Sequence, residues 1–142
     1  MMKKILIGIF VISSLAFGKM QDGKYYVEAE KAEWGWKAFT YMIVKDSEIV
    51  EVRHDRKNKK GEIATKDKKY NQSMAKKQGV GIKDAVYKLQ NGFMESKDVE
   101  EIDSIAGATS TSKEFKAMMR YLIHKAEKGQ PGSYKIPNKD LK

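Results

Sequence analysis

Hydrophobic and polar positions change their rhythm about halfway along the chain. The first half alternates or runs in short apolar blocks. Tyr25 to Glu30 (Tyr-Tyr-Val-Glu-Ala-Glu) alternates and is rich in strand formers. Lys37 to Val44 reads as a buried strand, and Glu48 to His54 as the next, with Val50 and Val52 on one face. Only Lys45-Asp46-Ser47 separates the last two, so they are expected to pair as an antiparallel hairpin. The aromatic pair in Glu33-Trp34-Gly35-Trp36 marks a turn ahead of them, and Asp55 to Gly61 reads as a charged, solvated loop.

From Lys66 the period lengthens. Lys66 to Lys77 predicts a helix with Tyr70 and Met74 one turn apart and Gly79 just past its end. Ile82, Ala85, Val86 and Leu89 predict a second helix, which Gly92 should stop after Asn91. Phe115, Met118, Met119, Leu122 and Ala126 form the apolar stripe of a third, with Thr111 and Glu114 spaced as a capping box and Gly129 and Pro131 ending it. Strands first and helices second predict an α+β domain: a small antiparallel sheet with helices packed on one side. On this reading the domain spans residues 19–130, and residues 131–142 are a loose, basic C-terminal tail.

The first residues follow a different rule. Lys3 and Lys4 precede an apolar run from Ile5 to Phe17, and Ala16-Phe17-Gly18 offers small residues at a cleavage site. Residues 1–18 are therefore expected to be a signal peptide; a membrane-spanning helix needs about 20 apolar residues, and Lys19 follows this run at once. The domain is then exported, to a periplasm or to the cell surface. The absence of cysteine excludes disulfides, iron–sulfur clusters, covalent c-type haem and the lipid-anchoring cysteine of a bacterial lipoprotein. The formal charge of +9 becomes +7 once Lys3 and Lys4 are removed with the leader. Export argues against nucleic acid as the partner and leaves anionic envelope surfaces, a phosphate-bearing ligand or simple solubility as the use of that charge. Neither His54 nor His124 has a His or Glu at metal-ligand spacing, so no metal is expected.

Between the second and third helices the composition changes abruptly. After Asp103 come Ser104-Ile105-Ala106-Gly107-Ala108-Thr109-Ser110-Thr111-Ser112, a run of small and hydroxyl residues leading straight into the last helix. The first N–H groups of a helix lack internal partners, and the helix dipole adds positive charge there. Gly107 and Ala108 let a ligand approach the backbone, and the hydroxyls supply further donors. The turn is thus a seat for phosphate; composition alone leaves an ordinary Ser/Thr-rich loop as the alternative.

Asp103-Ser104-Ile105-Ala106-Gly107-Ala108-Thr109 resembles the flavinylation motif of FMN-binding domains, Asp-x-x-Ser/Thr-Gly-Ala-Thr, with Ala106 where Ser or Thr is commonest. Such domains occur in flavin subunits of sodium-pumping redox complexes and in extracytoplasmic electron-transfer lipoproteins. The resemblance extends in the same order over the hairpin, the Gly61 loop, the Tyr70-Asn71-x-x-Met74 segment and the last helix, about residues 22–129. It implies an FMN cofactor, joined by a flavin transferase through a phosphoester to the matching threonine, Thr109. It also implies an electron carrier that accepts electrons from a membrane reductase and passes them to another redox carrier or an external acceptor. Asp103, Ala106, Gly107, Ala108, Ser110, Thr111 and Ser112 are then the surrounding site. An isoalloxazine ring also needs a flat apolar surface; Tyr70 and Met74, on one helix face, are the joint candidates, with Trp34, Trp36 and Tyr41 as further ones. A flavin-dependent reductase would need an acid–base pair, which no motif supplies. A non-redox exported module that binds anionic surfaces is the other alternative.

Overall fold

The computed structural model describes residues 19–142; the leader expected over residues 1–18 lies outside them. Strands β1 (Gly23–Ala29), β2 (Lys37–Lys45) and β3 (Glu48–Lys57) are followed by helices α1 (Lys68–Gln78), α2 (Ile82–Ser96) and α3 (Thr109–Glu127), then by β4 (Gly132–Ile136). The sheet order is β3-β2-β1-β4, and the three helices pack on one side of it. The expected α+β layering is therefore present, with the predicted β2–β3 hairpin antiparallel. The sheet itself is mixed, because β4 lies parallel to β1. The segment after Pro131, expected as a loose tail, thus supplies an edge strand. Only Ile136 of β4 is fully buried, so its sequence carries too little apolar alternation to be read.

The buried face of the sheet presents Tyr25 and Val27 of β1, Thr40, Met42 and Val44 of β2, and Ile49, Val52 and His54 of β3. Phe115, Met118, Met119 and Leu122 of α3 cover it, together with Leu89 and Phe93 of α2. Each large apolar side chain in this layer contributes about 1.5–3 kcal/mol by burial.

Three departures from the sequence reading have identifiable physical causes. A bulge pairs Ile43 with Glu51 and Val44 with Ile49, which leaves Val50 without a partner across the ladder. Val50 is consequently 49% exposed while Val52 is buried, so the two do not share a face. Helix α2 runs through Gly92 to Ser96, since the next residue, Phe93, is fully buried on the same stripe. Burying a phenylalanine outweighs the cost of about 1 kcal/mol for a helical glycine. Finally, β3 continues past His54 to Lys57, and Asp55 is buried rather than solvated. Its carboxylate accepts from the Thr65 N–H at 3.1 Å and the Thr65 hydroxyl at 2.5 Å, which ties a 3-10 turn at Ala64–Lys66 to the edge of the sheet.

Candidate functional site

A cleft of about 1150 Å³ opens where the C-terminal ends of β1 and β3, the length of α1 and the first turn of α3 converge. One wall is aromatic. The rings of Trp36 and Tyr70 meet edge to face, with centroids 5.0 Å apart. They and Met74 rest on a small apolar cluster of Ala64, Ile82 and Val86. Helix α1 presents this wall because Asp67 caps it, accepting from the Tyr70 N–H at 2.8 Å, and because Gly79 ends it in a left-handed conformation.

The opposite wall is the turn into α3. Gly107 adopts φ +83°, and a Cβ there would lie 2.1 Å from the carbonyl oxygen of Gln78. This position therefore has to be glycine: the turn is pressed onto the end of α1. Ala108, at the N-cap, makes no side-chain cap, so the first N–H groups of α3 are free of competition from a capping side chain. The expected capping box of Thr111 and Glu114 does not form, because the helix begins three residues earlier, with Ala108 in place of Thr111 as the N-cap. Thr111 and Glu114 instead point to Arg56. Its Nη2 donates to Thr111 Oγ1 at 3.2 Å and to Glu114 Oε1 at 2.8 Å, its Nε donates to the same carboxylate oxygen at 3.2 Å, and its Nη1 donates to Tyr70 Oη at 2.5 Å. One guanidinium on β3 thereby ties the aromatic wall to the α3 wall.

The charges in this tie support each other. Burial pushes the Glu114 carboxyl up, but the imidazole of His54 and the guanidinium of Arg56 outweigh it, and the group is held below the ordinary carboxylate range. Burial likewise pulls Arg56 down, while Glu114 and Tyr70 more than restore it. Behind Glu114 lies His54, fully buried, with Nδ1 2.7 Å from Thr40 Oγ1 and Nε2 3.5 Å from Glu114 Oε1.

Of the residues predicted from sequence, Tyr70, Met74, Gly107, Ala108, Thr109, Ser110 and Thr111 line the cleft. The four neighbouring hydroxyls separate clearly. Thr109 and Ser110 are exposed in the cleft, whereas Thr111 and Ser112 are buried. Ser112 Oγ accepts from the Ile105 N–H at 3.0 Å and donates to the Ala108 carbonyl at 2.8 Å, so it shapes the turn from behind. Asp103 and Ala106 are exposed and stand outside the cleft lining. Trp34 and Trp36 line the cleft, but Tyr41 projects from the helix-free face of the sheet and donates to Glu51 at 2.6 Å. Arg56 was not singled out by the sequence reading. Its alternation with Val52 and His54, three positions on one face of β3, was the available signal, obscured by taking Asp55 to Gly61 as a loop.

The comparisons with known proteins bear on the same segments. The FMN-binding domain matches residues 33–124, from the Trp34 turn through most of α3. The chain belongs to the FMN-binding domain family. A member with a solved structure, the CPE2226 protein of Clostridium perfringens, is 31% identical with a TM-score of 0.77, covering 83% of this chain and 98% of its own. The 15 kDa lipoprotein of Treponema pallidum is 26% identical over 121 residues, 84% of this chain and 86% of its own. A solution structure from Clostridium thermocellum, 24% identical and covering 78% of this chain and 95% of its own, shares the fold at a TM-score of 0.52. FMN is accordingly the cofactor of this FMN-binding domain. The residues present suit it: a turn that admits only glycine, an uncapped helix start for the phosphate and an aromatic wall for the ring.

Proposed function

We propose that this FMN-binding protein is exported, carries FMN covalently on Thr109 and serves as an electron carrier outside the cytoplasmic membrane. The observation that supports the attachment is the sorting of the hydroxyls. Thr109 opens α3 with its side chain in the cleft, while Thr111 and Ser112 are committed to Arg56 and to the turn. Of the two exposed hydroxyls, Thr109 is the one that ends the Asp-x-x-Ala-Gly-Ala-Thr segment.

In the attachment step a flavin transferase would bring FAD. The Thr109 hydroxyl oxygen would bond to the FMN phosphorus as the phosphoanhydride bond to AMP broke, with AMP leaving and the hydroxyl proton released. Thr109, Ser110 and the free N–H groups of the first turn of α3 would then hold the phosphate. Trp36, Tyr70 and Met74 give the ring an apolar wall, and Arg56 places a fixed positive charge between the two walls. The bound flavin supplies reversible uptake and release of electrons; the chain's own residues tether it, shield it from water and set its electrostatic surroundings. Electrons would arrive from a membrane reductase and leave to another redox carrier or an external acceptor. Support for the location comes from the leader-like first residues and from the Treponema pallidum relative, a lipoprotein by name. Among the described residues no helix is long and apolar enough to cross a membrane.

Intact-protein mass tests the attachment. Co-expression with a flavin transferase should add one FMN less one water. The adduct should be lost in Thr109→Ala and kept in Ser110→Ala; an adduct that survives Thr109→Ala would overturn the assignment.

A further inference from the structure

The mouth of the cleft carries a solvent-exposed indole and a surplus of positive charge. Trp34 is 99% exposed. It occupies the first central position of a two-residue turn, with φ 55° at Trp34 and φ 84° at Gly35. That conformation costs a bulky L-residue about 1–2 kcal/mol. The turn is nevertheless rigid: the Glu33 N–H donates to the Trp36 carbonyl at 2.8 Å, and the Trp36 N–H to the Glu33 carbonyl at 3.0 Å. Its stem is pinned by Asn138, which accepts from the Lys31 N–H at 3.0 Å and donates to the Lys31 carbonyl at 2.8 Å. The backbone that carries the Trp34 indole is thus held at the mouth with the ring out in solvent, while Trp36 does the packing inside.

Charge points the same way. Lys31, Lys69, Lys77 and Lys113 line the mouth, all are exposed, and none is in an ion pair among the described residues. The acidic residues of the lining are engaged: Glu114 with Arg56, Asp67 with the start of α1, and Glu33 with Lys142 at 3.9 Å. A single phosphate ester has at most two negative charges, so four uncommitted lysines exceed what the cofactor needs.

We infer that this rim is a docking surface for an acidic protein face, with Trp34 buried at the centre of the contact and Lys31, Lys69, Lys77 and Lys113 around it. The inference rests on the carrier reading and names the kind of partner with which the flavin exchanges electrons. Tryptophan is, with tyrosine and arginine, enriched at the energetic centre of protein contacts. A ring of like charge accelerates encounter with an opposite one and makes it salt-dependent. A lipid surface is a poorer fit. Among the described residues the other large exposed hydrophobics are Val50 and Tyr87, both outside the cleft lining, so the mouth offers one indole and no apolar face to insert.

Two readouts test this, and one needs no flavin. Polyglutamate is titrated against tryptophan fluorescence, with Trp34→Phe as the blank. The expected result is a saturable blue shift at low salt (about 20 mM) that disappears at high salt (about 500 mM). It should also disappear when the four lysines are reversed to glutamate. Separately, the dithionite-reduced holoprotein is reoxidised by ferricyanide and by tris(phenanthroline)cobalt(III). Ferricyanide should slow about tenfold with added salt while the cationic oxidant speeds up, and the lysine reversals should invert that order. Absence of a saturable Trp34 response to polyglutamate, or an equal response in the lysine variant, overturns the proposal. So does a Trp34 response to phosphatidylglycerol vesicles with none to polyglutamate, which would make the surface lipid-binding. A chain that takes up no flavin would sink the carrier reading and leave the polyglutamate titration fully readable.

Discussion

Replacing Gly107 by alanine should unfold more stability than any other single methyl added to a glycine of this domain. Two costs combine there. The left-handed backbone, φ +83°, costs an L-residue about 1–2 kcal/mol. The new Cβ would also lie 2.1 Å from the Gln78 carbonyl oxygen, about 1 Å inside any contact a real Cβ makes. That oxygen is backbone at the end of α1, so relief requires moving a helix end or the turn itself, at a further cost of about 1–3 kcal/mol. Gly79→Ala is the control. It has nearly the same φ, +89°, but nothing within 4 Å of its Cβ, so it should show the backbone cost alone. Urea unfolding of both variants, followed by far-ultraviolet circular dichroism, separates the costs: Gly107→Ala should lie about 1–3 kcal/mol below Gly79→Ala at an unchanged m-value. Equal midpoints for the two variants would refute the claim that the α3 turn is pressed onto α1, and with it the geometric reason for glycine in the motif.

Further consequences can be measured on the same preparations. Arg56→Met leaves the buried Glu114 carboxylate without its main partner and should cost about 3–5 kcal/mol in urea unfolding, whereas adding Glu114→Met should recover much of the loss. Ser112→Ala removes the bonds to Ile105 and Ala108, should cost about 1–2 kcal/mol and should speed hydrogen exchange at the Ile105 amide. On the helix-free face of the sheet, burial pushes the Glu28 carboxyl up, but Lys57 and Tyr26 outweigh it and hold the group at about 2. Because its folded value is depressed, its contribution is complete above the ordinary 4.5 and is lost as pH falls from there towards 2. Glu28→Gln should therefore cost about 1 kcal/mol at neutral pH, and the gap to the unmodified protein should close across that acid window.

How much of this was legible in the sequence depended on whether a local pattern or a distant contact decided the outcome. The α3 stripe from Phe115 to Ala126 and the glycine stop of α1 at Gly79 were local and could be read directly. Gly92 was misread as a stop because its effect is local but the compensating burial of Phe93 is tertiary. The bulge at Val50 adds one residue to a strand and shifts its register, a change that alternation alone does not announce. At the site, the motif and the Tyr70–Met74 pair one turn apart pointed to two segments that the structure brings together as walls of one cleft. Arg56 escaped because its partners, Tyr70, Thr111 and Glu114, are scattered along the chain and meet only when β3, α1 and α3 converge. Tyr41 was misassigned for the reverse reason: strand parity puts it on the far face of the sheet from Thr40 and Met42.

The direction of β1 has a practical outcome for handling the protein. Met20 is buried, and its N–H donates to the Ser47 hydroxyl at 3.0 Å, beside the β2–β3 turn. The strand then runs from Gly23 to Ala29, and Ala29 lines the cleft. At about 3.3 Å per residue, that puts the start of the domain roughly 20 Å from the cleft. Lys142, in contrast, stands in the cleft lining itself. A purification handle, fluorophore or surface linker placed ahead of Lys19 therefore leaves the mouth open to small molecules and large ones alike. The same addition after Lys142 begins inside the opening and competes with whatever approaches it.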